Sequence, residues 1–222
     1  MSQEEWAADI AQTVGREVRR YRKKQGMSAE QLAQKCTAAG LPMKRPVIAN
    51  LESGRRPTVS LAELLILGKV LEVPPLLLIF PVGRTTVTEV VPGREAPTWL
   101  AAKWFTGEEA LPWKSSEGWV VSPEDWAAWQ DGGEPADRFR WQDRQFAELR
   151  ATAARADGHR KAAAAVEDPE AREREERAVR AEERTIRFLE EEIRRGRREM
   201  RRLGLNPGEL RPESAHIDQG DM

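Results

Sequence analysis

The sequence predicts a mainly α protein in three parts: a five-helix domain at the N-terminus, a short Trp-rich middle segment with one small strand, and long charged helices at the C-terminus. Three observations predict it. Helix-start signals recur through the first eighty residues, each followed by apolar residues at steps of three and four. Five of the eight tryptophans fall between Trp99 and Trp126. From residue 136 onward Arg, Glu and Ala dominate, with aliphatic residues spaced at sevens. The expected divisions are 1–82, 83–135, 136–204 with a break at Asp168-Pro169, and a disordered tail, 205–222.

Composition bounds the function classes. Hydrophobic residues make up 40% of the 222 and charged residues 33%, and the mean hydropathy is −0.65. That balance fits a modest core with long solvated helices. The net charge of −1 hides a division. Residues 1–82 carry 12 Lys/Arg against 8 Asp/Glu, residues 83–135 carry 4 against 9, and residues 136–222 carry 20 against 20. A polyanionic partner is therefore expected at the first part. Cys36 is the only cysteine, so no intramolecular disulfide or Cys-based zinc site can form. It reads as a small buried hydrophobe. His159 and His216 lie in polar surroundings and read as surface residues. The start of the chain is acidic rather than basic-then-apolar. The longest apolar run, Leu76 to Phe80, is too short to span a bilayer. A cytoplasmic protein without membrane contact or cofactor is expected.

The first helix is expected over residues 2–26. Ser2 and Glu5 make a capping box, Trp6, Ile10, Val14, Val18 and Tyr21 share a face, and Gly26 ends it. Ser28 with Gln31 starts a second helix whose inward residues are Leu32, Ala33 and Cys36. Gly40 and Pro42 break it. A third helix is expected from Lys44 to Leu51, with Pro46 near its start. Ser60 with Glu63 starts a fourth helix, which carries Leu61, Leu64, Leu65, Leu67, Val70 and Leu71. Pro74-Pro75 opens a short fifth that ends near Phe80-Pro81. Five apolar stripes in so short a stretch make one small all-α core.

In the middle segment, Thr86 to Val91 has strand composition, bounded by Gly83 and Pro92-Gly93. Short helices are expected at about 97–106 and 123–130. The tryptophans from 99 to 129 are expected to build a small core or to dock on the first domain, rather than to clamp a planar ligand. In the C-terminal part, Val179, Ile186, Ile193 and Met200 stand at sevens, with Leu189 and Leu203 between them. Glu182 and Gly196 weaken two further slots. The seam is compatible with a solvated single helix, an antiparallel hairpin folded at Pro169, or a coiled coil with a second copy. The last is favoured, because the stripe covers about four heptads.

Residue identity in the first part is more specific than its helix count. Arg20-Tyr21-Arg22-Lys23-Lys24-Gln25-Gly26-Met27-Ser28-Ala29-Glu30-Gln31-Leu32-Ala33 resembles the opening of the Cro/C1 (XRE) repressor family. Ile48-Ala49-Asn50-Leu51-Glu52-Ser53-Gly54-Arg55-Arg56-Pro57 resembles that family's recognition-helix end and following loop. Leu61 to Leu71 and Val73 to Leu78 resemble its last two helices. The resemblance covers roughly residues 10–82 and implies a lambda-repressor-like DNA-binding fold. It departs from the family in a bend between the second and third helices that is about five residues longer, a form similar to actinobacterial members with Leu41-Pro42-Met43. It also departs at Ala29, where many members carry a DNA-contacting Gln.

The resemblance implies a recognition helix near residues 44–51 in the major groove of double-stranded DNA. Lys44, Arg45, Pro46, Ala49 and Asn50 are the expected base-reading residues. Arg45 suits guanine O6/N7 and Asn50 suits adenine N6/N7. Arg22, Lys23, Arg55 and Arg56 are the expected phosphate contacts, the last two through a loop with free backbone N–H groups. Glu52 is expected either to pair with a loop arginine or to stay solvated.

The resulting expectation is a repressor-like, sequence-specific transcription regulator, acting as a homodimer held by Val179, Ile186, Leu189, Ile193, Met200 and Leu203. The alternative is a non-enzymatic adaptor that recruits a protein partner through residues 136–204. No nucleophile–base pair, phosphate-cradling Gly loop or metal-ligand cluster points to an enzyme.

Overall fold

Ser2, Ser28 and Ser60 each begin a helix by the same device. Each hydroxyl accepts from the backbone N–H three residues on, and the side chain there, Glu5, Gln31 or Glu63, accepts from the serine's own N–H. In this computed structural model, which describes residues 2–219, these caps open α1 (Gln3–Lys24), α2 (Ala29–Ala38) and α4 (Leu61–Leu71). Between the last two stands α3 (Arg45–Glu52), which lacks a side-chain cap but has Pro46 in its first turn. The short α5 (Leu76–Ile79) closes the group. Val14, Val18, Leu32, Cys36, Ile48, Leu51, Leu67, Leu71 and Leu78 fill its centre with no solvent exposure. Burial pushes the Cys36 thiol up to about 11, which keeps it protonated and inert at neutral pH.

The middle segment is built on α5. Strands β1 (Val87–Val91) and β2 (Arg94–Pro97) form an antiparallel hairpin around Gly93, whose φ is +74°. Helix α6 (Thr98–Thr106) follows, then the small hairpin of β3 (Trp113–Ser115) and β4 (Gly118–Val120). Phe80, Val90, Ala96, Ala101 and Ala102 make its core, with Leu76 and Ile79 of α5 packed against it. The expected division at residue 82 thus falls inside a compact unit: the described residues up to 130 form one unit and those from 131 to 219 another. Docking on the helical domain, expected for the tryptophans, is done mainly by Phe80 and these small residues. Trp104 faces Trp129 at 6.1 Å between ring centroids, while Trp99, Trp113 and Trp126 stay exposed.

The helix expected at 123–130 does not stop there. It is the start of α7 (Pro123–Ala165), which continues through Gly132, Gly133 and Pro135. Ion pairs Glu134–Arg138 and Asp137–Arg140 flank the proline. The chain then turns, and Asp168 caps α8 (Pro169–Arg202) by accepting from the Ala171 N–H at 3.0 Å.

Helix α8 folds back along α7 as an antiparallel hairpin. Arg155 meets Glu182 at 3.2 Å, His159 meets Glu175 at 2.7 Å, and Arg160 meets Glu183 at 2.9 Å. This corrects the expected seam between two copies. Leu189, Ile193 and Met200 are buried within their own chain, Ile186 is partly buried there, Val179 is half-buried and Leu203 is exposed. The two weak heptad slots have intrachain partners. Glu182 pairs with Arg155. A Cβ at Gly196 would lie 2.2 Å from the Trp141 ring, so the glycine makes room for the indole.

The segment after α8 was expected to be disordered, and its described part is not. Residues Pro212–Ile217 form a 3₁₀ helix and Ile217 is fully buried with Leu149, Leu189 and Ile193. Arg197, 1% exposed, ties this segment down. It donates to Gln142 Oε1 (3.0 Å), to the Pro207 and Gly208 carbonyls (2.9 and 2.7 Å), and to both oxygens of Asp218. A buried guanidinium needs all its donors satisfied, and the tail supplies most of the acceptors. The expected disorder of residues 220–222 lies outside the described residues.

Candidate nucleic-acid interface

Helix α3 is set into the domain by three contacts. Ile48 and Leu51 are fully buried on one side. Against its last turn runs α1, where a Cβ on Gly15 would fall 2.1 Å from the Leu51 carbonyl oxygen. Only glycine permits that approach. The third contact is an ion pair. Arg22 forks onto Glu52 with Nε–Oε1 at 2.5 Å and Nη2–Oε2 at 2.6 Å, and its Nη1 donates to the Met27 carbonyl at 2.6 Å. The Arg22 and Glu52 side chains are only 11% and 8% exposed. The Glu52 carboxylate raises the Arg22 pKa further.

That pairing corrects two expectations. Arg22 is not placed for phosphate; it turns inward and fixes α3 to α1. Glu52 is neither solvated nor bound to a loop arginine. The spacing of thirty residues between the partners hid the pair, although both residue types lay in the quoted motifs.

The elongated bend is held as well. The Thr37 hydroxyl lies 3.0 Å from the Ala33 carbonyl and accepts from the Met43 N–H at 3.1 Å. Gly40 turns the chain at φ +100°, and Met43 anchors the far side in the core. The bend therefore delivers α3 from a fixed point. Thr37 was not foreseen; a hydroxyl one turn before a Gly-Pro bend is the signal that marks it.

With Ile48 and Leu51 inward, α3 turns its other side out. Lys44, Arg45 and Pro46 are exposed, and Ala49 and Asn50 are half-exposed beside them. The i, i+3, i+4 spacing of 45, 46, 49 and 50 places them on one face. The Asn50 amide and the Arg45 guanidinium have no side-chain partner among the described residues. Val47 packs at the edge of the core.

The loop after α3 is more committed than expected. The Arg55 N–H is not free, because it donates to the Asn50 carbonyl at 3.0 Å. The Arg55 side chain is exposed and makes no ion pair among the described residues. Arg56 forks onto Glu63 at 2.7 and 3.2 Å. Burial opposes the Glu63 charge, but hydrogen bonds from Arg56 and Ser60 outweigh it and hold the carboxyl below its ordinary range. The charge of Arg56 is thus already matched. Lys23, at the end of α1, is exposed.

Among the described residues no group of three or more His, Cys, Asp or Glu is arranged to hold a metal ion, and no helix is long and apolar enough to cross a membrane. Comparison with curated proteins and with solved structures gives no match. Among family descriptions, that of a helix-turn-helix domain matches residues 13–78. The matched span runs from the middle of α1 to α5 and contains the Arg22–Glu52 pair, the bend and the exposed face of α3. Residues 13–78 of this chain are a helix-turn-helix domain.

Proposed function

We propose that the chain is a sequence-specific, DNA-binding transcription regulator of the repressor type. One observation carries the reading: a helix fixed on its inner side by Ile48, Leu51, Gly15 and Glu52 presents Lys44, Arg45, Pro46, Ala49 and Asn50 on its outer side. A rigid helix with two unpartnered, fork-shaped side chains suits the major groove, where Arg reads guanine and Asn reads adenine. Arg55 and Lys23 supply phosphate contacts at its flanks. The protein acts in the cytoplasm on the nucleoid, as a dimer on two half-sites, and performs no chemical reaction on the DNA. Because the α8 seam is occupied within the chain, the two copies meet through other surfaces.

The test is selection of bound duplexes from a random library by the full chain, followed by titration across salt. A recovered motif of two related half-sites, with affinity falling steeply as salt rises, is the expected outcome. Failure to enrich any motif overturns the reading. The adaptor alternative has one observation in its favour: Phe188 is 63% exposed on a helix whose large aliphatic residues mostly turn inward. A partner retained by residues 136–204 together with no enriched motif would select it.

A further inference from the structure

Six of the nine residues from Arg16 to Lys24 are Arg or Lys. Arg22 is turned inward to Glu52. Arg16, Arg19, Arg20 and Lys23 line one recess of about 420 Å³, which Arg84 borders from the turn after α5. Its volume lies in the range of small-molecule sites.

The charge in this recess is not balanced. Glu17 is the single acid among its lining residues. Its carboxylate is held by Arg20 at 2.5 Å and lies 3.7 Å from Arg84. Arg16 donates to the Thr13 hydroxyl at 2.8 Å, and neither Arg16, Arg19 nor Lys23 has a carboxylate partner among the described residues. Five cations against one acid leave four positive charges in one small concavity. Four of the five are arginines, whose planar forks match phosphate oxygens two at a time. Arg20 is further fixed by stacking on Tyr21, 3.8 Å from its ring centroid. A single carboxylate is too little charge for such a site; a ligand with two or more phosphate groups matches it.

The recess borders the proposed DNA face at Lys23 and extends away from it. Gly15 marks the side of α1 that meets α3. At roughly 100° per residue, Arg20 and Glu17 point about 140° and about 200° away from it. The recess instead joins α1 to the turn that leads into the β1–β2 hairpin. The two amides of that turn, Arg84 and Thr85, both bond to the Pro81 carbonyl. The Thr85 hydroxyl meets Thr98, the first residue of α6, at 3.1 Å.

We infer that this recess is a binding site for a small polyphosphorylated ligand, which bridges α1 of the helix-turn-helix domain to the Trp-rich segment. The ligand supplies anionic oxygens to Arg16, Arg20 and Arg84 and draws the Pro81–Thr85 turn onto α1. The inference stands apart from DNA reading, because none of these residues belongs to α3 or its loop.

The test is calorimetric titration of the full chain with sodium pyrophosphate, alone and with a bound duplex. Wild type is expected to bind one equivalent saturably. Arg16→Gln and Arg84→Gln, each with an unchanged melting temperature, are expected to weaken pyrophosphate about tenfold or more, the loss of a charge-assisted pair. They are expected to leave duplex affinity unchanged. No saturable binding by wild type overturns the proposal, as does binding that both variants retain. Variants that lose duplex affinity but not pyrophosphate would make the recess a DNA-backbone contact and overturn it too.

Discussion

Replacing Arg45 by alanine is expected to cost about 1–3 kcal/mol on the selected site and to relax the preference at one base position. The side chain stands exposed at the start of α3 with no partner to compensate, so the loss is one of recognition and the melting temperature is unaffected. Binding-site selection with the variant checks this; an unaltered motif argues against base contact. Arg22→Ala is expected to behave in the opposite way. It leaves the Glu52 carboxylate buried without its fork, and breaking such a pair destabilises by about 3 kcal/mol, the low end of its class because the rim still reaches water. Thermal unfolding should show the loss. Arg55→Ala touches neither the core nor an ion pair. It is expected to weaken all duplexes alike and to reduce the slope of log affinity against log salt by about 1. An unchanged slope would remove Arg55 from the phosphate contacts. Three arginines with similar motif positions thus differ because one is buried against a carboxylate and two are not.

Between α1 and α3 the decisive residue is Gly15. Alanine is the better helix former by about 1 kcal/mol, yet its Cβ would sit 2.1 Å from a backbone oxygen that cannot rotate away. Gly15→Ala is therefore expected to push α3 outward, to lower stability by about 2 kcal/mol net and to weaken duplex binding. The discriminating control is Gly132→Ala, where nothing lies within 4 Å and stability should rise or hold. A glycine in the middle of a helical pattern was the available signal for this close approach. The helices of the first unit were legible because capping boxes fix their starts and apolar spacing fixes their inward faces. The C-terminal hairpin was only half legible. A heptad stripe announces a buried face without naming its partner, and the facing side of α7 carries one buried leucine, Leu149, among Trp141, Gln142, Thr152 and Ala156. Arg197 escaped notice for a related reason. It sits four residues after Ile193 and three before Met200, on the buried stripe itself, but an arginine among arginines reads as solvated until the tail that receives it is in place.

Each of the two units has its own core, and among the described residues each has a carboxylate held below its ordinary range: Glu63 in the first and Asp218 in the second. Hydrogen bonds from Arg197, reinforced by Arg201 against the opposing effect of burial, hold the Asp218 carboxyl below its ordinary range. A group with a lowered native value binds fewer protons folded than unfolded, so its stabilisation rises with pH. It is fully present above about pH 4, the ordinary carboxylate value, and is lost as the pH falls through the lowered native one. Because Asp218 bonds the same guanidinium that holds Pro207 and Gly208, protonation loosens residues 205–219 together. Amide hydrogen exchange is therefore expected to accelerate at Leu210 and Ile217 below about pH 4, before exchange rises in the α7–α8 core. Asp218→Asn should place the tail in its loosened state already at pH 7 and make its protection independent of pH there. Exchange at Leu64, beside Glu63, should be the same in wild type and variant across the whole range. If the variant's tail kept the wild-type pH profile, the Arg197–Asp218 pair would not be what orders it.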